Sequence, residues 1–222
     1  MKYFGKFAGI VFVVVFLGAC VAPVEKKDYT QFREENLRSI LIVPVVNSTV
    51  NVDAAAYFLS TIAAPVAERG YYAFPINLVK QVMEEDGLSD ANMVHAADPT
   101  RLGELFGADA ILYISIEHWE TTYVILSATT TVSFTYVLKS GRSGEELWRE
   151  SSTLRYTPNS GGGGGNPIAT LIVMAISAAI QKAAPNYIPL AKQANAKAIW
   201  TDSRGLPAGP YHKLYGKDLD KF

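Results

Sequence analysis

The chain has 222 residues, 49% hydrophobic and 18% charged, with a formal charge of −1. That is globular composition, enough for one domain with a substantial core and too little for two large ones. A near-neutral chain lacks the clustered Lys and Arg that displace counterions from nucleic acid, and it has no polybasic stretch to hold it on anionic lipid.

The first 19 residues carry Lys2 and Lys6, then an apolar run from Phe7 to Leu17, then Gly18 and Ala19. This is the layout of a secretory signal peptide, and the run is too short to span a bilayer. Its removal takes two of the 20 basic side chains and leaves 18 against 21 acidic ones. Cys20 is the chain's single cysteine, so no intramolecular disulfide can form. Leu17-Gly18-Ala19-Cys20 resembles the bacterial lipobox. The resemblance implies diacylglycerol on the Cys20 thiol, cleavage between Ala19 and Cys20, and acylation of the freed amine. Two or more acyl chains make such an anchor stable. Val21 stands where an inner-membrane retention signal would place Asp, which favours the outer membrane with the domain facing the periplasm.

Residues 20–38 mix Pro23, charges and few apolar side chains, and are predicted to be a lipidated tether. A single α/β domain is expected over 39–200. Ile40, Leu41, Ile42, Val43, Val45 and Val46 form a near-continuous apolar run, the pattern of a strand buried on both faces. Asp53 is placed to cap a helix from Ala54 to about Arg69, with Tyr57, Phe58, Ile62 and Val66 inward, Pro65 inside it and Gly70 ending it. Tyr71 to Phe74 reads as a short strand. Ile76 to Glu85 is amphipathic, with Leu78, Val79, Val82 and Met83 on one face, and Glu84, Glu85 and Asp86 read as a solvated acidic cluster. Asp98-Pro99 starts a further helix, with Leu102, Leu105 and Phe106 inward and Gly107 as its stop.

From Asp109 the period becomes two. Leu112, Ile114 and Ile116 alternate with Ile111, Tyr113 and Ser115. Val132, Phe134, Tyr136 and Leu138 then share one face, with Thr131, Ser133 and Thr135 on the other. Ser140 to Gly144 reads as a hairpin turn and Glu146 to Tyr156 as the return strand, giving an antiparallel meander. Arg149, Arg155, Glu146 and Glu150 distribute charge over both faces of that return strand, which excludes a lipid-facing barrel wall.

Gly161 to Gly165 reads as a flexible hinge; without a following Lys-Ser/Thr pair it is not a phosphate loop. Ile168 to Ile180 is apolar nearly all round. Its second face, carrying Val173, Ile176 and Ile180, needs a cover: the next helix, about Tyr187 to Ile199, or a second subunit in a homodimer. The tail over 201–222 holds Gly205, Pro207, Gly209 and Pro210 and is expected to be extended, with Tyr211, Leu214 and Tyr215 as docking points.

No constellation carries chemistry. His95, His118 and His212 are scattered, there is no Gly-x-Ser-x-Gly elbow, and zinc-ligand spacings are absent. No cofactor or metal is expected.

Leu105-Phe106-Gly107-Ala108-Asp109-Ala110-Ile111-Leu112-Tyr113, together with the Ile40–Val46 run and the Asp53-started helix, resembles the step from helix through Gly-Ala-Asp to strand in a periplasmic α/β domain. That domain occurs in the TolB N-terminal region, the curli secretion lipoprotein CsgG and the penicillin-binding-protein activator LpoB. Gly144-Glu145-Glu146-Leu147-Trp148 is similar to a strand of the same group. The whole chain, with Leu206-Pro207-Ala208-Gly209-Pro210-Tyr211 in its tail, resembles a lipoprotein family of unknown function known from Neisseria. The resemblance implies a small mixed sheet flanked by helices and non-enzymatic work in the envelope. Three function classes stay open: a scaffold component of an envelope transport or secretion assembly, an activator of a peptidoglycan-building enzyme, and a hydrolase with a carboxylate pair.

Overall fold

A computed structural model of the chain describes residues 27–124, 127–156 and 187–222. Six strands form one mixed sheet: β1 (Ser39–Ile42), β2 (Val46–Asn47), β3 (Tyr72–Ala73), β4 (Ala110–Val124), β5 (Ser127–Ser140) and β6 (Glu146–Tyr156). Their order is β3-β1-β4-β5-β6, with β2 also paired to β4. β1 lies parallel to both β3 and β4, with Ile40, Leu41 and Ile42 opposite Ala110, Ile111 and Leu112. β4, β5 and β6 are antiparallel neighbours. The antiparallel meander is the one the residue periods predict, and the small mixed sheet is the one the family resemblance implies.

Six helices are described: α1 (Thr30–Glu34), α2 (Ala54–Glu68), α3 (Ile76–Glu85), α4 (Ala91–Ala96), α5 (Pro99–Phe106) and α6 (Ile188–Trp200). They divide between the two faces of the sheet. On one face Ile40, Ile42, Leu112, Ile114, Phe134, Tyr136 and Leu138 pack with Phe58, Ile62 and Val66 of α2 and Leu190, Ala191 and Ala194 of α6. On the other, Leu41, Val43, Ile111 and Tyr113 pack with Val79 and Met83 of α3, Val94 of α4 and Leu102 of α5. A strand covered on both sides has no polar face to show, which is why β1 reads as an unbroken apolar run.

The step from α5 to β4 has a concrete mechanism. Asp98 Oδ1 accepts the Thr100 amide at 2.9 Å and caps α5. Gly107 closes it at φ +65°, in the left-handed region. Asp109 Oδ2 then accepts from the Arg38 and Ser39 amides and the Ser39 hydroxyl, at 2.9, 3.0 and 3.0 Å, and pins the start of β1 beside β4.

Several expectations are corrected. Asp53 precedes α2 but its side chain makes no cap hydrogen bond. Asn51 organises the approach instead, its side-chain oxygen accepting the Asp53 amide at 3.1 Å. Only Val79 and Met83 of the α3 face are buried, because Leu78 and Val82 fall outside the strip that the sheet covers. Leu105 is exposed, since α5 turns Leu102 and Gly103 inward. His95 lies on α4, a helix capped by Asp90 through the Asn92 and Met93 amides. The expectation of a tether over 20–38 fails from Tyr29 onward: Tyr29, Phe32 and Leu37 are buried in the core, and α1 forms among them. The tail is not extended. Leu206, Ala208 and Phe222 are its buried anchors, whereas Tyr211, Leu214 and Tyr215 stay exposed.

Candidate functional site

The two ends of the described chain meet where β1, β3 and β4 begin. Glu150 is charged and buried, on the face of β6 that also carries Trp148. Two cations reach it. Lys27 Nζ lies 2.6 Å from Oε2, and Arg204 Nη2 lies 2.7 Å from Oε1. Lys27 also donates to the Arg149 carbonyl and, at 3.1 Å, to the Arg204 carbonyl, and it sits 5.2 Å from the Trp148 ring centroid. Burial holds the Lys27 ammonium below its ordinary value against the opposing pull of Glu150. A buried carboxylate is stable only when paired and hydrogen-bonded, and these two cations do both. They also occupy carbonyls on the free side of β6: Arg204 Nη2 lies 3.4 Å from the Ser151 carbonyl. An edge strand plugged in this way does not accept another strand there.

The rest of the junction is made largely by backbone carbonyls. The Tyr29 hydroxyl donates to Gly205 at 2.6 Å, the Trp148 indole to Arg204 at 2.7 Å, and the Tyr71 hydroxyl to Pro207 at 2.9 Å. Burial raises both phenols well above their usual value. Buried Asp218 accepts the Ala208 amide at 2.7 Å and pairs with Arg69 at 3.2 Å. Gly209 runs against Gly70 so closely that a Cβ would stand 2.3 Å from the Gly70 carbonyl oxygen. Phe222 stacks edge-on against Tyr29 at 5.5 Å, lies under the Arg69 guanidinium at 4.8 Å, and offers its carbonyl to Arg33 at 2.7 Å. Between α1 and the tail a groove of about 290 Å³ is lined in part by Phe32, Leu37, Tyr71, Tyr215 and Leu219. The arrangement is a clasp: it holds the segment from Lys27 through α1, the tail and the sheet edge as one body.

A second surface is open. On the sheet face beyond α4 and α5, hydroxyls pair across strands: Ser133 with Thr153 and Thr135 with Ser151, each at 2.9 Å, while Thr135 also donates to Glu117 at 2.6 Å.

Cys20, Ala19, Val173, Ile176 and Ile180 lie outside the described residues, as does the whole apolar stretch Ile168–Ile180. The histidines are not brought together: His95 is on α4 against Tyr113, His118 on β4 pairs with Glu120, and His212 is in the tail. Among the described residues, no three His, Cys, Asp or Glu side chains stand together to hold a metal ion, and no helix is long and apolar enough to cross a membrane. Glu150 was within reach of sequence reasoning. It shares the parity of Trp148 on β6, and a charge on an inward-facing position signals a buried pair.

A lipoprotein family model, GNA1162-like, matches residues 27–211, a span that starts at the clasp lysine and runs through the tail segment against Gly70. The chain belongs to the GNA1162-like lipoprotein family. Lipoprotein NMB1124/NMB1162 of Neisseria meningitidis serogroup B is 40% identical over 152 residues, covering 68% of this chain and 71% of that one. The crystal structure of lipoprotein GNA1162 from Neisseria meningitidis superposes with a TM-score of 0.54 at 35% identity, over 64% of this chain and 96% of that one. The LpoB C-terminal domain from Escherichia coli lies further off, with a TM-score of 0.38 at 16% identity over 54% of this chain and 84% of that one. The chain is thus a lipoprotein with a mixed α/β fold shared with a solved relative.

Proposed function

We propose that the protein is an outer-membrane lipoprotein, anchored through Cys20, that serves as a non-enzymatic interaction component of an envelope transport or secretion assembly. The observation that carries this reading is how little chain separates the anchor from the folded domain. Lys27 is already fixed in the clasp, so only seven residues run from Cys20 to the fold. Fully extended, they reach roughly 25 Å. The domain is therefore held at the membrane that carries its lipid, and its partner is on the same membrane. The alternative, an activator of a peptidoglycan-building enzyme, asks for reach away from that membrane and has less support from so short a tether. Self-association as a homodimer belongs to the same reading, with Val173, Ile176 and Ile180 as its contact.

The test lengthens the tether. A photo-crosslinking residue at Thr153, on the open hydroxyl face, is placed in the full chain with and without about 30 Gly/Ser residues between Val24 and Glu25. A short tether raises the effective concentration of a partner on the same membrane, and lengthening it lowers that concentration. Crosslinked adducts that weaken with the long tether, and vanish with Cys20→Ser, support the proposal. Adducts that strengthen with the long tether favour the distant-enzyme reading. Adducts indifferent to both changes contradict anchorage as the basis of partner choice.

A further inference from the structure

We infer that the tail over Tyr211–Leu219 lies on the lipid surface, as a second membrane contact beside the anchored tether. The inference rests on the Cys20 anchor proposed above and adds a face to it. Tyr211, Leu214, Tyr215 and Leu219 are 70%, 40%, 49% and 59% exposed, so four large apolar or aromatic side chains stand in water within nine residues. The chain does not leave them there through disorder. Asp218 is buried and tied to Arg69 and the Ala208 amide, the Tyr211 amide donates to Gly70 at 3.1 Å, and Phe222 is packed against Tyr29. A backbone fixed this firmly holds its apolar side chains outward against the hydrophobic effect, which a solvent-only surface does not explain.

The occupant follows from where the tether begins. Tyr29 touches both the tail carbonyl of Gly205 and the ring of Phe222, two residues after Lys27. Lys27, which follows the proposed tether, itself donates to the Arg204 carbonyl of the tail at 3.1 Å, and the lipid is at most roughly 25 Å of chain away. The chemistry suits an interface: tyrosines have an apolar ring with a polar tip that sits at headgroup level, and leucines enter the acyl boundary. Lys213 and Lys217 are interleaved with them and exposed, their long stems able to lie along the apolar layer while the ammonium groups meet anionic headgroups. The one carboxylate of this stretch, Asp218, is turned inward and paired with Arg69. The groove between α1 and the tail, walled by Tyr215 and Leu219, opens on the same side. Because the lipid anchor already holds the domain at the surface, such a contact need not be strong to be occupied.

The test uses the full lipidated chain, in which the Cys20 thiol is consumed, so one introduced cysteine is the only free thiol. Leu214→Cys, Tyr215→Cys and Leu219→Cys are compared with Val50→Cys, an apolar residue 91% exposed in the loop after β2, at the opposite end of the sheet. Each is labelled with an environment-sensitive fluorophore and reconstituted in phosphatidylethanolamine–phosphatidylglycerol vesicles carrying shallow nitroxide lipids. The tail positions should be quenched about twofold or more beyond Val50. Equal quenching at the tail and at Val50, in protein that floats with the vesicles, would overturn the contact and leave the anchor standing; it would point to a protein partner or water on this face. Failure to float would remove the anchor and this inference together. Three tail positions guard against a single labelled variant that misfolds.

Discussion

The β4–β5–β6 meander is joined by neighbours in sequence, whereas the clasp is joined by residues more than a hundred positions apart: Lys27 with Glu150, Tyr29 with Gly205, Arg33 with Phe222 and Arg69 with Asp218. The meander is ordered by cross-strand pairs and by one buried face, where each side chain meets the next across a short hairpin. The clasp is ordered by single hydrogen bonds to carbonyls, by two buried carboxylates and by scattered apolar anchors such as Phe32, Leu206 and Phe222. Local contacts of the first kind are expected to form early and to open only with the whole fold, and the long-range contacts of the second kind to open first. A lipoprotein that meets its membrane through the clasp end and its partner through the meander would thus have its softer half at the lipid and its stiffer half at the partner.

The largest effect should come from breaking the stiffer half. Phe134 is fully buried on β5, with its ring 5.2 Å from Phe58 and 5.4 Å from Tyr136. Phe134→Ala leaves a cavity between the sheet and α2 and should cost about 3–5 kcal/mol, with a single cooperative transition shifted to lower urea. A loss under about 1 kcal/mol would mean that the sheet face is not the main source of stability.

Asp218→Ala should come next, at about 3 kcal/mol, since it strands the Arg69 guanidinium and the Ala208 amide in a nearly closed site. Its signature differs from that of Phe134→Ala. Amide hydrogen exchange should rise over 206–222 and in α1 while β4 and β5 keep their protection. Uniform loss of protection would show that the clasp and meander form one cooperative unit, and the comparison would fail. Gly209→Ala acts at the same place by a different force. Its Cβ must push the Gly70 carbonyl aside, and about 2 kcal/mol is expected, with the same local exchange pattern.

The same contrast decides how much could be read from the chain. Val132, Phe134, Tyr136 and Leu138 declare their face by alternation, and Asp98-Pro99 with Gly107 mark both ends of α5, because each signal lies within a few residues of what it controls. Residues 27–37 send no such signal. Tyr29, Phe32 and Leu37 stand among charges without a clean period, and only the open end of the sheet makes their burial favourable. The tail is silent for a further reason. Gly205 and Pro207 act through their carbonyl oxygens, and Arg204 does so in addition to its pairing with Glu150; every residue owns a carbonyl, so nothing in the letters marks them as acceptors. The resemblance to a lipobox around Cys20 is legible because such a signal lies within four consecutive residues, while the clasp exists only in three dimensions.

The smallest effect is a matter of pH and falls on the helix-covered face of the meander rather than on the clasp. His95 Nε2 donates to the Pro44 carbonyl at 3.0 Å, and its ring meets Tyr113 edge-on at 5.1 Å. Burial lowers its pKa below the ordinary 6.5, the Pro44 carbonyl opposes that shift, and Lys139 adds to it. A depressed folded-state value means that the unfolded chain takes up the proton first as pH falls. Stability is therefore fully present above pH 6.5 and declines below it, towards the lowered value of the folded state. His95→Gln keeps a side-chain N–H for Pro44 and cannot titrate, so its urea midpoint should change less between pH 7 and about 5 than that of the parent. The difference should be smaller than the cost of Gly209→Ala. Hydrogen exchange should place it in α4 and the Pro44 turn, with the tail unaffected. Acid loosening that appears first in residues 206–222, with α4 still protected, would contradict His95 as the source of the pH dependence.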